Sequence, residues 1–132
     1  MLLKDAEKVM AAARAKAKEI DVAMCIAVVN EAGFLTSFIR SDNSELCAIQ
    51  FAIDKAYTAL INRLSTQELG KQCQPGGPLY GLQNNLGGRM VIFPGGIPIR
   101  NQSGAIIGAI GVSGSTVEND HAVAEVGAAT TK

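Results

Sequence analysis

The chain has 132 residues, enough for one domain with a core of its own. Twelve basic residues balance twelve acidic ones, and apolar residues make up 48% of the total. That balance gives no electrostatic case for a nucleic acid or an anionic membrane as partner, and the apolar content excludes extended disorder. Aromatics are scarce at 5%, with no Trp, while alanine and glycine abound, a composition suited to close backbone packing. Cys25, Cys47 and Cys73 are widely spaced, odd in number and form no CxxC, which predicts reduced thiols in a cytoplasmic protein. The opening MLLKDAEKVM carries helical periodicity and charge rather than a signal-peptide pattern. The longest apolar run, Val22 to Val29, is far short of the ~20 residues a membrane helix needs.

Leu3, Ala6, Met10, Ala13, Ala17 and Ile20 recur at helical spacing and predict a helix from about Leu3 to Asp21. Val22 to Asn30 reads as a strand that is apolar on both faces, hence central in a sheet covered on both sides. Asn30-Glu31-Ala32-Gly33 reads as a turn, and Phe34 to Arg40 as the returning strand of a hairpin. Leu46, Ile49, Ile53, Ala56 and Leu60 again step at helical spacing and predict a second helix over about Glu45 to Arg63. Ser65 and Glu68 have capping-box spacing, so a short third helix starts at Thr66. Gln74 to Arg89 is the one long irregular stretch, with five of the 14 glycines. Loops of this length in a compact domain serve function or move.

Met90 to Phe93 and Ile97 to Arg100 read as two short strands joined by Pro94-Gly95-Gly96. Asn101 to Gly104 repeats the turn logic of Asn30 to Gly33, and leads into a central strand from Ala105 to Ser113. On that strand Ile106, Ile110 and Val112 share one face; Ala105, Ala109 and Gly111 leave room for a helix on the other. Ser115 and Glu118 are spaced as a second capping box opening a last helix that runs to about Ala128. The order α-β-β-α-α-β-β-β-α predicts an α/β (α+β) sandwich of profilin-like or PAS-like type. Its five-stranded antiparallel sheet carries helices on both faces.

Few residues carry chemistry. Gly108, Gly111 and Gly114 lie within or at the end of a strand, so close helix packing explains them better than a phosphate loop. Free amides after Gly114 and Ser115 suit an anion unless the cap satisfies them internally. Arg100 and Arg89 flank glycine-rich segments; they read either as surface charge or as partners for a ligand's carboxylates. His121, the single histidine, shares a stripe with Val117, Ala124 and Ala128; with no second ligand nearby it reads first as a partly exposed helix histidine and second as an iron ligand, since imidazole suits iron. Cys73 borders the long loop and is the best-placed thiol for ligation or reactivity. Glu118 and Asp120 are two apart on a helix and do not face each other, which argues against an acid/base pair.

GGIPIR at 95–100 and GAIIGAIGVSGSTVENDHAVAEVGAA at 104–129 resemble the signature of the GlcG/HbpS family, which includes the C-terminal domain of PduO-type proteins. The helix from Leu2 to Ile20 and VVNEAGFL at 28–35 extend the resemblance over nearly the whole chain, 1–132, as one such domain. The resemblance implies the sandwich, assembly into homo-oligomers, and a haem or other tetrapyrrole ligand, with His121 as iron contact. Cys73 is a weaker metal candidate. Arg100, Gly95, Gly96, Gly114 and Ser115 are the further candidate ligand contacts. It also implies a link to glycolate, diol or glycerol metabolism. Three functions follow: an oligomeric small-molecule-binding accessory protein; an enzyme acting on a small metabolite or degrading haem; or a structural subunit of a metabolic assembly.

Overall fold

A computed structural model describes all of residues 1–132. Four helices and four strands follow the order α1 (Leu3–Glu19), β1 (Cys25–Asn30), β2 (Leu35–Arg40), α2 (Leu46–Asn62), α3 (Thr66–Gln72), β3 (Gly96–Arg100), β4 (Ile106–Ser113), α4 (Val117–Ala128). The strands form one antiparallel sheet in the order β2-β1-β4-β3. The expected α+β sandwich with helices on both faces is present, with four strands rather than five.

Met90 to Phe93, expected as a strand, joins no ladder. Its polar groups are served from helices instead. The Val91 N–H donates to Thr58 Oγ1 (3.0 Å), which donates to the Asp54 carbonyl and lies against the Arg89 carbonyl. The Ile92 carbonyl lies so close to Gly70 of α3 that a Cβ there would overlap it. With its Val91 amide met by a threonine side chain and its Ile92 carbonyl packed on α3, the segment lies on helices rather than beside a strand.

Both hairpins form by the same local chemistry. Asn30 Oδ1 accepts from the Ala32 and Phe34 amides, and Asn101 Oδ1 accepts from the Ser103 and Ala105 amides, all at 3.0 Å. Gly33 and Gly104 then close the turns at φ 85°.

The two faces of the sheet are packed differently. On one, Met24, Ile26, Val28, Ile110 and Val112 meet α1 and α4 through Val9, Met10, Ala13, Val123 and Ala124. On the other, Cys25, Ala27, Val29 and Ala109 meet α2 through Ala48, Ala52, Ala56 and Ala59. The buried stripe of α2 is therefore alanine: Ala56 of the expected stripe belongs to it, Ile49, Ile53 and Leu60 pack half-buried at its margin, and Leu46 is 82% exposed. The reason is separation: a Cβ on Gly111 would overlap the Ala52 carbonyl oxygen, so α2 lies against bare strand and admits only methyl groups.

Helix starts refine the expected caps. Ser65 Oγ accepts from the Glu68 amide at 3.1 Å, while the Glu68 carboxylate turns to Lys71 and leaves the box half made. At α4 the cap is Thr116, whose Oγ1 accepts from the Asn119 amide at 3.2 Å, so Ser115 and Glu118 do not form the expected box. The Ser115 amide instead donates to Asp120 Oδ1 (3.0 Å). The loop expected over 74–89 is present and holds two short 3₁₀ turns, Leu82–Asn84 and Leu86–Gly88.

Candidate functional site

The sequence candidates separate into two places, one closed and one open. The closed place centres on Lys55 of α2 and Asp120 of α4, neither singled out from the sequence as a site residue. Lys55 is fully buried, and its Nζ donates to Asp120 Oδ2 and to the Val112 carbonyl, both at 2.9 Å. The ammonium also lies 5.0 Å from the centre of the Phe93 ring. Asp120 Oδ1 takes the Ser115 amide, so both carboxylate oxygens are used. Lys55 thus runs from the α2 layer to the α4 layer, past the start of β3.

Glycines make that path. A Cβ on Gly95 would lie 2.7 Å from Lys55 Nζ, and one on Gly96 would overlap the Lys55 carbonyl. Gly114 packs against Ala23 and Met24. The amides of Gly96 and Ser115 are already bonded, to Thr66 Oγ1 (2.9 Å) and to Asp120. Gly95, Gly96, Gly114 and Ser115 therefore surround or border an internal ion pair, and the Gly96 and Ser115 amides are not free for an anion. Burial pushes the Asp120 carboxyl up and holds the Lys55 ammonium down, each partly offset by the other's charge. A lysine set among Ala52, Ala56 and Ala59 on one helix was the signal that could have marked it.

The open place is a concavity of about 330 Å³ at the free edge of the sheet, between β3, α4 and the α2–α3 junction. Arg63, Arg100, His121 and Lys132 line it, with Glu125 as the single acidic residue. The structure thus brings His121 and Arg100 together and adds two cations that the sequence reading passed over. None of Arg63, Arg100 and Lys132 forms an ion pair.

Local structure sets each in place. Arg63 ends α2 in the left-handed conformation (φ 56°), its amide bonded to the Leu60 carbonyl. Arg100 Nη1 donates to the Gly104 carbonyl at 3.0 Å, which fixes the guanidinium beside the hairpin and leaves other N–H groups free. The His121 Nε2 lies 3.8 Å from Glu125 Oε1, while its Nδ1 is buried without a partner.

Cys73 is 2% exposed at the end of α3, does not line this concavity, and burial pushes its thiol up. That is the opposite of what a reactive or ligating thiol needs. Arg89 is half-exposed but already partnered, bonded to Asp54 Oδ1 at 3.0 Å and stacked 3.8 Å over Tyr57. No group of three His, Cys, Asp or Glu side chains is arranged to hold a metal ion. A larger concavity of about 690 Å³ beside α1 offers Arg14 and Lys18 against Asp21 and Asp42, so its charges balance and favour no class of ligand. No helix is long and apolar enough to cross a membrane.

Comparison with known proteins now decides the family. Residues 1–129 match the family described as haem degrading protein HbpS-like. The chain belongs to the HbpS-like family. It is 42% identical over 120 residues to an uncharacterized 15.0 kDa protein of Citrobacter freundii, from the dhaT–dhaS intergenic region; the match covers 91% of this chain and 84% of that one. It is 36% identical over 114 residues to the corrinoid adenosyltransferase PduO of Citrobacter freundii, covering 86% of this chain but only 34% of PduO. The crystal structure of PduOC in complex with haem superposes with a TM-score of 0.92 at 32% identity, covering 98% of this chain and 93% of that one. The HbpS-like fold thus includes the PduO-related domains, and the expected family is confirmed.

Proposed function

We propose that this HbpS-like chain is a small-molecule-binding accessory protein, that its ligand is haem or another tetrapyrrole, and that the ligand seats at the edge concavity of Arg63, Arg100, His121 and Lys132. The observation that carries this is the convergence of three cations without ion pairs and one imidazole in a protein of zero net charge. The haem complex of PduOC, on the same fold, supports the ligand class.

The residues fit such a ligand in kind. Tetrapyrroles of the haem type carry carboxylates, and guanidinium groups pair with carboxylates through two parallel bonds. The concavity, at about 330 Å³, is at the small end of ligand pockets, which run from roughly 300 to 1,000 Å³. It holds one edge of a macrocycle, and a second copy of the chain would cover the rest, in keeping with a homo-oligomer. Haem, when bound, supplies a redox-active iron. The protein's own part is to hold the ligand's anionic edge and to keep α4 in register through Lys55 and Asp120.

The relative encoded between dhaT and dhaS, and the PduO relatives, support a place beside diol or glycerol metabolism. Binding is favoured over catalysis because Ser65 Oγ, the one hydroxyl in the concavity, caps α3 by accepting from the Glu68 amide and is not bonded to His121.

The test is a haem titration followed by absorbance, on wild type and His121→Ala. Saturable binding in wild type supports the reading, and the variant reports whether the imidazole contributes to it. Absence of saturable binding at micromolar protein would sink the tetrapyrrole reading.

A further inference from the structure

We infer that this site recognises its ligand by carboxylates rather than by a metal, with Arg63 and Arg100 as the recognition residues and Lys132 adding charge. The inference rests on the proposed function for the location of the site, and names the chemistry that the site selects.

Two observations carry it. The first is the state of the cations. In this chain the buried lysine and Arg89 are each bonded to a carboxylate, whereas Arg63, Arg100 and Lys132 line one hollow with no such partner. Arg100 and Lys132 also border an adjoining hollow of about 490 Å³ with Asn101, Gln102 and Gly104, so the positive edge continues round the β3–β4 hairpin. A guanidinium anchored by one bond to the Gly104 carbonyl is oriented before any ligand arrives, so less freedom is lost on binding.

The second is the state of His121. A metal-ligating histidine ordinarily donates its other ring N–H to an acceptor, which fixes the ring and raises its basicity. In His121 the atom for that role, Nδ1, is buried with no acceptor. Coordination through Nε2 would place the proton of the neutral ring on Nδ1, as a buried donor without a partner, which is unfavourable. Nε2 itself faces Glu125. The imidazole is thus poorly supported as a ligand, while the guanidinium groups are ready for carboxylates.

The experiment compares three probes on the full chain by fluorescence and absorbance: haem, metal-free protoporphyrin, and the dimethyl ester of protoporphyrin. The free acid is expected to bind within about 3-fold of haem, and the ester at least about 10-fold more weakly, the loss of roughly one charge-assisted contact. Arg63→Gln/Arg100→Gln should weaken both acids by about 10-fold or more and leave the ester unchanged, whereas Arg63→Lys/Arg100→Lys should restore part of the loss. Circular dichroism of each variant controls for folding. Ester binding as tight as that of the acid, or acid binding unaltered in the Gln variant, would overturn the inference. If no porphyrin binds, the tetrapyrrole reading falls and a calorimetric titration with citrate decides the rest. Saturable citrate binding lost in the Gln variant upholds carboxylate recognition; no citrate binding overturns it as well.

Discussion

Lys55 and Arg100 are both cations beside β3, yet they have opposite fates. Lys55 has its charge enclosed, fully buried and bonded to Asp120 and the Val112 carbonyl. Arg100 keeps its charge at an open edge, tied by one bond to a carbonyl and paired with no carboxylate. The difference teaches how to divide this molecule. A buried pair that is fully bonded ties layers together and has nothing left for a ligand. Charges left without partners in a hollow are what a ligand can use.

The largest expected effect breaks the closed half of that contrast. Lys55→Met leaves Asp120 buried without its partner and should cost about 3–5 kcal/mol of stability, whereas Lys55→Met/Asp120→Leu should recover much of it. Urea unfolding of the two variants measures this; a double variant no better than the single would show that packing, not the lone charge, sets the cost.

A smaller effect sharpens the same point through pH. Burial holds Lys55 below its usual 10.5 and Asp120 above its usual 3.8. The stability tied to Asp120 is present below 3.8 and is lost as pH rises through its raised folded value. That tied to Lys55 is present above 10.5 and is lost as pH falls through its lowered folded value. Wild type should therefore compare least well with the double variant near neutrality and better towards either extreme. A difference that instead favours wild type most at pH 7 would contradict these shifts.

The smallest stability effect belongs to the open half. Arg63→Gln/Arg100→Gln should change stability by no more than about 0.5 kcal/mol, since neither side chain forms an ion pair, while carboxylate binding falls. A large loss of stability would mean that these cations hold the fold after all.

The turns and the sheet were legible in the chain for local reasons. Asn30 and Asn101 each bond two amides within four residues, so both hairpins follow from a few neighbouring side chains. The alternation assigned β1 and Ala109 to Val112 of β4 to the faces they take, because side chains of a regular strand alternate, whereas near the hairpin a register shift sets Ile107, not the expected Ile106, against the Ile110 and Val112 cluster. On α2 the expected stripe was only partly right: Ala56 is buried and Ile49, Ile53 and Leu60 border the core, but Leu46 is exposed and Ala48, Ala52 and Ala59 fill the centre. Only the close approach of Gly111 to Ala52 decides that alanine must face in. Met90 to Phe93 was misread because a run of apolar residues looks alike whether its amides meet another strand or a threonine.

The site divides along the same line. His121 and Arg100 were visible as rare or suitably placed residues, but nothing in their spacing of 21 positions says that they share a hollow with Arg63 and Lys132. Nor does the chain announce that Lys55 meets Asp120 across 65 positions. Local chemistry determined the turns, the strand faces, most of the helices and the family signature, since each depends on residues a few positions apart. The helix face that turns inward, the enclosed ion pair and the open cluster of cations were decided by tertiary structure. Each depends on how closely distant backbones approach, and that distance is set by the whole packed sheet.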